Sequence, residues 1–126
     1  MRALGVAALL VLPVSAQAAA PQSALDRCLA SPAGSSTAGQ IQCIGEAVKA
    51  QDARLNKNYA KAMKGLTPEQ QVKLRTAQRA WIAFREADCQ SLQDEAWGTM
   101  SRVTANICVL DRTTERADDL ANYPDR

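Results

Sequence analysis

The chain has 126 residues, with 15 Lys and Arg against 13 Asp and Glu, no histidine, and a formal net charge of +2 at pH 7. That length suits one domain with a modest core, and a charge so near zero gives no overall pull toward nucleic acid or an anionic membrane. The missing histidine removes Ser-His and Cys-His nucleophile pairs and histidine-based metal sites.

Residues 1–18 read as an export signal. Arg2 supplies a small positive start, Ala3 to Leu12 form an apolar run, and Pro13 and Ser15 break it. Ala16-Gln17-Ala18 then fits a small-x-small cleavage site. The run is shorter than the roughly 20 apolar residues of a membrane span, and no cysteine follows it to carry a lipid. Cleavage after Ala18 leaves residues 19–126 as a single domain with no further membrane span, in the periplasm or secreted. It removes Arg2 and no acid, so the mature charge lies closer still to neutral.

Cys28, Cys43, Cys89 and Cys108 form an even set in a chain that reads as exported, so disulfides are expected. Three pairings are possible. Spacing favours Cys28–Cys43 and Cys89–Cys108, because each closes a short loop across a helix junction. A loop near 15 residues contributes roughly 3 kcal/mol in the chain-entropy account. A zinc site needs closely spaced thiolates, and no C-x-x-C occurs.

Ala19 to Asp26 is a lead-in, with a short N-terminal helix as an optional addition to the three main ones. Ser31 to Gly39, "SPAGSSTAG", reads as a loop stapled at its base, either a connector or a presented binding loop. From Gln40, Ile41, Ile44, Val48, Leu55, Tyr59, Ala62 and Leu66 recur at helical spacing, with Asp52 inside the same stripe. Gly65 ends this helix. Thr67, Pro68 and Gln70 then supply an N-cap, a first-turn proline and a capping box for the next. So short a connection predicts an antiparallel helical hairpin.

The second helix is expected from Pro68 to about Leu92. Its segment "AQRAWIAFREADC", residues 77–89, carries Ala77, Trp81, Ile82 and Phe84. At about 100° per residue, Gln78 and Arg85 project between Trp81 and Ile82, and Asp88 falls between Phe84 and Trp81. Counting outward from the turn, Asp52 is level with Trp81. Asp52, Gln78, Trp81, Arg85 and Asp88 are thus expected to meet where the two helices pack, with Arg85 serving both carboxylates. The simplest role is an internal ion-pair network that fixes helix register. The alternative is a polar pocket or contact surface lined by Trp81, Arg85 and Asp52.

Gly98 breaks the chain and Thr99 is placed to cap a third long helix. There Met100, Val103, Ile107, Leu110, Thr114, Ala117 and Ala121 alternate by three and four, as packing into a small bundle requires. Asn122-Tyr123-Pro124 ends it. No segment alternates with period two, so the expected class is all-α: a helical bundle built on a hairpin plus a third long helix, stapled twice. There is no glycine-rich phosphate loop. Lys57, Lys61, Lys64, Lys73, Arg75 and Arg79 are interleaved with acids as ordinary helix surface, which argues against a nucleic-acid stripe. No catalytic residue, metal or cofactor is expected.

Cys43, Glu46, Asp52, "LNKNYAKAM" from Leu55, "LRTAQRAWIAFREADC" from Leu74, Cys108 and "TTERADDL" from Thr113 occur in an order that resembles the lysozyme-inhibitor LprI-like family of small exported bacterial proteins. The resemblance runs from Cys28 to Leu120. It departs at the loop between the third and fourth cysteines, where Gly98 stands alone beside Trp97 in place of two adjacent glycines. The resemblance implies an all-helical fold and, for some members, inhibition of lysozyme by occlusion without catalysis. Animal-type lysozymes are basic, so Asp94, Glu95 and Trp97 are the candidate contact residues, with Asp118 and Asp119 as a second acidic cluster. A periplasmic binding or stress-response module for another protein or small molecule is the alternative function, and a structural accessory role the third. The oligomeric state is left open.

Overall fold

The computed structural model describes residues 22–125, and the expected signal segment at residues 1–18 lies outside them. Four helices follow one another: α1 (Ala24–Ala30), α2 (Thr37–Lys64), α3 (Pro68–Gln90) and α4 (Met100–Ala121). Two 3-10 turns, Pro32–Ser35 and Glu95–Trp97, sit in the connections before α2 and α4. No strand occurs among the described residues, and no described helix is long and apolar enough to cross a membrane.

Local chemistry sets the helix starts. Thr67 accepts a hydrogen bond from the Gln70 N–H while the Gln70 side chain accepts from the Thr67 N–H, with Pro68 in the first turn. Ser23 and Asp26 make the same reciprocal box for α1. Ser36 caps α2 through the Gly39 N–H. The cap expected at Thr99 differs. Thr99 stands at the N-cap of α4 but its side chain makes no capping bond; instead the Ser101 hydroxyl bonds the Asp94 and Gly98 carbonyls.

The segment expected as a loop from Ser31 to Gly39 is tighter than its composition suggests. Pro32–Ser35 wind into a 3-10 turn and α2 begins at Thr37, three residues before Gln40. Two glycines make room for this. A Cβ on Gly34 would lie 2.0 Å from the Leu29 carbonyl oxygen, and one on Gly39 would lie 1.5 Å from that of Ala33. Cys28–Cys43 then ties α1 back onto α2.

The hairpin turn between α2 and α3 is where the sequence puts it, yet the two helices do not run in close contact. α4 is the main partner of α2 and also packs against α3. It runs parallel to α2, with Ile44 beside Val103, Asn58 bonded to the Ala117 carbonyl, and Leu66 beside Leu120. It runs antiparallel to α3, with Cys108 joined to Cys89 and Arg116 bonded to Gln78. Because α4 serves two neighbours it needs two faces. Val103, Leu110 and Ala117 belong to the expected one; Ser101, Ala105, Thr113, Arg116 and Leu120 form a second buried face, rotated by about 120°. Met100 and Ile107, expected in the packed stripe, are exposed.

The apolar core is small. Leu55, Leu74, Ala117 and Leu120 are buried together near the turn end, with Tyr59, Met63, Leu66, Trp81 and Tyr123 packed around them. Fully burying a leucine-sized side chain contributes about 1.5–3 kcal/mol, so three leucines leave a substantial role for the two disulfides.

Candidate functional site

The polar residues of the α3 stripe divide into three contacts, each reaching α4, and the first reaching α2 as well. Leu74, Gln78, Trp81, Arg85 and Cys89 project within about 80° of one another at 100° per residue, and this is the face α3 buries. The Arg85 Nη1 donates to Asp52 Oδ1 of α2 at 3.4 Å and to Thr113 Oγ1 of α4 at 3.1 Å. The Thr113 hydroxyl in turn donates to the Val109 carbonyl at 2.6 Å. The guanidinium carbon lies 5.1 Å from the centroid of the Trp81 ring, within cation–π range. Among the described residues the Arg85 Nε–H is buried without an acceptor. The Arg85 side chain is 15% exposed and that of Asp52 46%, so the pair closes the rim of the layer and not its centre.

Gln78 makes the second contact. It is buried, and its Oε1 accepts from Arg116 Nε at 3.0 Å. Arg116 lies 5.9 Å from the Trp81 centroid and 3.8 Å from Asp119, so Trp81 has two guanidinium groups within reach. Asp88 makes the third contact, and here the expected pairing with Arg85 is corrected. Its carboxylate instead accepts from Arg112 Nε at 3.3 Å and Nη2 at 3.2 Å. That hydrogen bonding, with the Asp88 charge, pushes the Arg112 guanidinium up from its ordinary pKa. Asp88 sits at the edge of the buried face toward exposed Phe84, which brings it to α4 one turn beyond Cys108. Phe84 in turn stacks on Arg112 at 5.7 Å.

Thr113, Arg112 and Arg116 are the members of this layer that the reading of α3 missed. Their signal is the second periodic row of α4, whose polar residues hide it beside the apolar one. Asp88, Cys89 and Cys108 lie close enough to suggest metal ligands. Both sulfurs are joined to each other, so the site lacks the thiolate charge a metal needs.

Beyond the layer, the loop between α3 and α4 carries Asp94, Glu95 and Trp97. Asp94 Oδ1 accepts from the Ala96 N–H at 2.8 Å, opening the 3-10 turn, and Gly98 closes it at φ 77°. Ser101 ties the Asp94 and Gly98 carbonyls to the start of α4, and Cys89–Cys108 joins the flanking helices. The loop therefore holds a defined shape while Trp97 remains 63% exposed. A hollow of about 290 Å³ beside it is lined by Gln93, Glu95, Thr99 and Arg102. The second acidic cluster is occupied differently: Asp118 binds Arg54 at 2.5 Å and Asp119 pairs with Arg116.

A second concavity, about 460 Å³, opens between α1, the start of α2 and the first half of α4. Leu25, Leu29, Ile44, Met100, Ile107 and Leu110 supply its apolar walls, with Asp111 at its margin.

No curated protein and no solved structure matches the chain. Residues 28–120 match the family model described as "Lysozyme inhibitor LprI", which spans both disulfides, the polar layer and the Trp97 loop, and the chain belongs to that family.

Proposed function

We propose that this is an exported protein, freed of residues 1–18, that binds lysozyme and blocks its cleft by occupancy. The family match over residues 28–120 is the observation that carries this reading. The chemistry of the chain favours a stoichiometric mode. It has no histidine, and its four cysteines are held in disulfides. The polar layer has the character of scaffold: Arg85, Arg116 and Gln78 are turned inward and spend their hydrogen bonds on α2 and α4.

The contact surface in this reading is the loop of Asp94, Glu95 and Trp97. An exposed tryptophan beside two carboxylates suits a basic, concave partner, since aromatic anchors dominate many interfaces and opposite charge speeds encounter. A loop already held by Ser101 and the Cys89–Cys108 bridge loses little freedom on binding. Trp97→Ala is expected to weaken inhibition of cell-wall lysis by animal-type lysozyme at least tenfold, the loss typical of a hot-spot side chain. Asp94→Asn with Glu95→Gln is expected to weaken it further at low salt than at high salt. Inhibition untouched by all three substitutions would move the contact surface elsewhere.

A further inference from the structure

We propose that the groove between α1, α2 and α4 binds a small cationic amphiphile, its aliphatic body on the apolar walls and its ammonium group at Asp111. Four observations carry this. The volume of about 460 Å³ lies within the range of small-molecule sites. Met100, Ile107 and Leu29 keep 53%, 43% and 38% of their surfaces exposed around it, so a large part of the apolar lining still faces water. An aliphatic chain laid there removes that surface from water, and Met100 can adapt to its shape.

The third observation is charge. Asp111 is the one charged residue lining the groove among the described residues. Of the four acids on α4, Glu115, Asp118 and Asp119 pair with Arg112, Arg54 and Arg116, whereas Asp111 makes no ion pair among the described residues. A positive group at the end of an apolar ligand completes the pattern, and a carboxylate there meets like charge. Finally, the groove is preformed. Cys28–Cys43 fixes the α1 wall that carries Leu25 and Leu29, and the Gly34 and Gly39 contacts hold the turn beneath it. Little ordering is left for the ligand to supply.

The test is calorimetric titration of the oxidised chain with dodecylamine, dodecanol and dodecanoate, each below its aggregation concentration. Dodecylamine is expected to bind saturably at one site, about two- to fivefold tighter than dodecanol, as an exposed ion pair allows, and dodecanoate weakest. Asp111→Asn is expected to abolish the preference of amine over alcohol while leaving dodecanol binding in place. Ile107→Gln and Met100→Gln, both at exposed positions the fold tolerates, are expected to weaken all three about tenfold through lost apolar contact. Circular dichroism of each variant verifies the helical fold. The proposal is overturned if no ligand saturates, if dodecanoate binds as tightly as the amine, if the amine preference survives Asp111→Asn, or if both groove substitutions leave binding unchanged.

Discussion

Arg116 on α4 donates from its Nε to the Oε1 of Gln78 on α3 at 3.0 Å, and both residues are buried. This bond joins the two helices at mid-height, where the facing side chains are polar. Gln78→Ala is predicted to lower unfolding stability by about 1.5–3 kcal/mol, the range for a hydrogen bond to a charged group. Urea denaturation measures it, and a loss under about 0.5 kcal/mol would contradict the role given to this pair.

Arg85 and Asp52 should contribute unequally. Asp52 is half exposed, so Asp52→Ala is predicted to cost less than about 1 kcal/mol. Arg85→Ala removes the bond to Thr113 and the stacking on Trp81 as well, and about 2–3 kcal/mol is expected. Equal losses in the two variants, read from the same denaturation curves, would contradict this ranking.

The disulfides are predicted to act at different ranges. α1 has seven residues, too few to persist alone. Cys28→Ser with Cys43→Ser should release its amides to rapid hydrogen exchange while α3 and α4 stay protected. Cys89→Ser with Cys108→Ser should instead lower protection across α3 and α4 together, by about 3 kcal/mol in the loop-entropy account. Uniform loss of protection in the first variant would show that α1 is integral to the bundle.

Two glycines on α2 offer a matched contrast. A Cβ at Gly39 collides with the Ala33 carbonyl, whereas nothing lies within 4 Å of one at Gly45. Gly45→Ala is therefore predicted to stabilise by about 0.5–1 kcal/mol, through helix propensity alone. Gly39→Ala is predicted to destabilise, by displacing the Pro32–Ser35 turn. Thermal melts decide both signs.

At the start of α1, a hydrogen bond from the Ser23 hydroxyl, seconded by the Ser23 N–H, lowers the Asp26 carboxyl from its ordinary value of 3.8. A carboxyl lowered in the fold favours the fold above its unfolded value, and that contribution is lost as pH falls through the folded one. Carboxyl-carbon NMR titration should thus place Asp26 below 3.8, and Ser23→Ala should return it toward 3.8.

What the sequence made legible was local or covalent. Thr67, Pro68 and Gln70 announce α3 because a capping box is completed within four residues. The disulfide pairing was readable because each bridge closes a short loop. The misassigned partner of Asp88 shows the opposite case. Its partner depends on the register of α4 against α3, which α3 alone does not encode. The Cys89–Cys108 bridge holds that information, since the residue one turn after Cys108 is Arg112. Gly39 and Gly45 look alike in sequence for the same reason, because only the docked turn distinguishes them. At the candidate contact loop, Asp94, Glu95 and Trp97 were visible as residue types, but their exposure on a tethered turn required the fold.

The central claim is that the chain occludes lysozyme, and a turbidity assay on cell-wall suspensions tests it most directly. The oxidised protein at equimolar ratio to an animal-type lysozyme is predicted to slow clearing, with inhibition rising linearly until the two are matched. Clearing at the full uninhibited rate in large molar excess of the protein would contradict it.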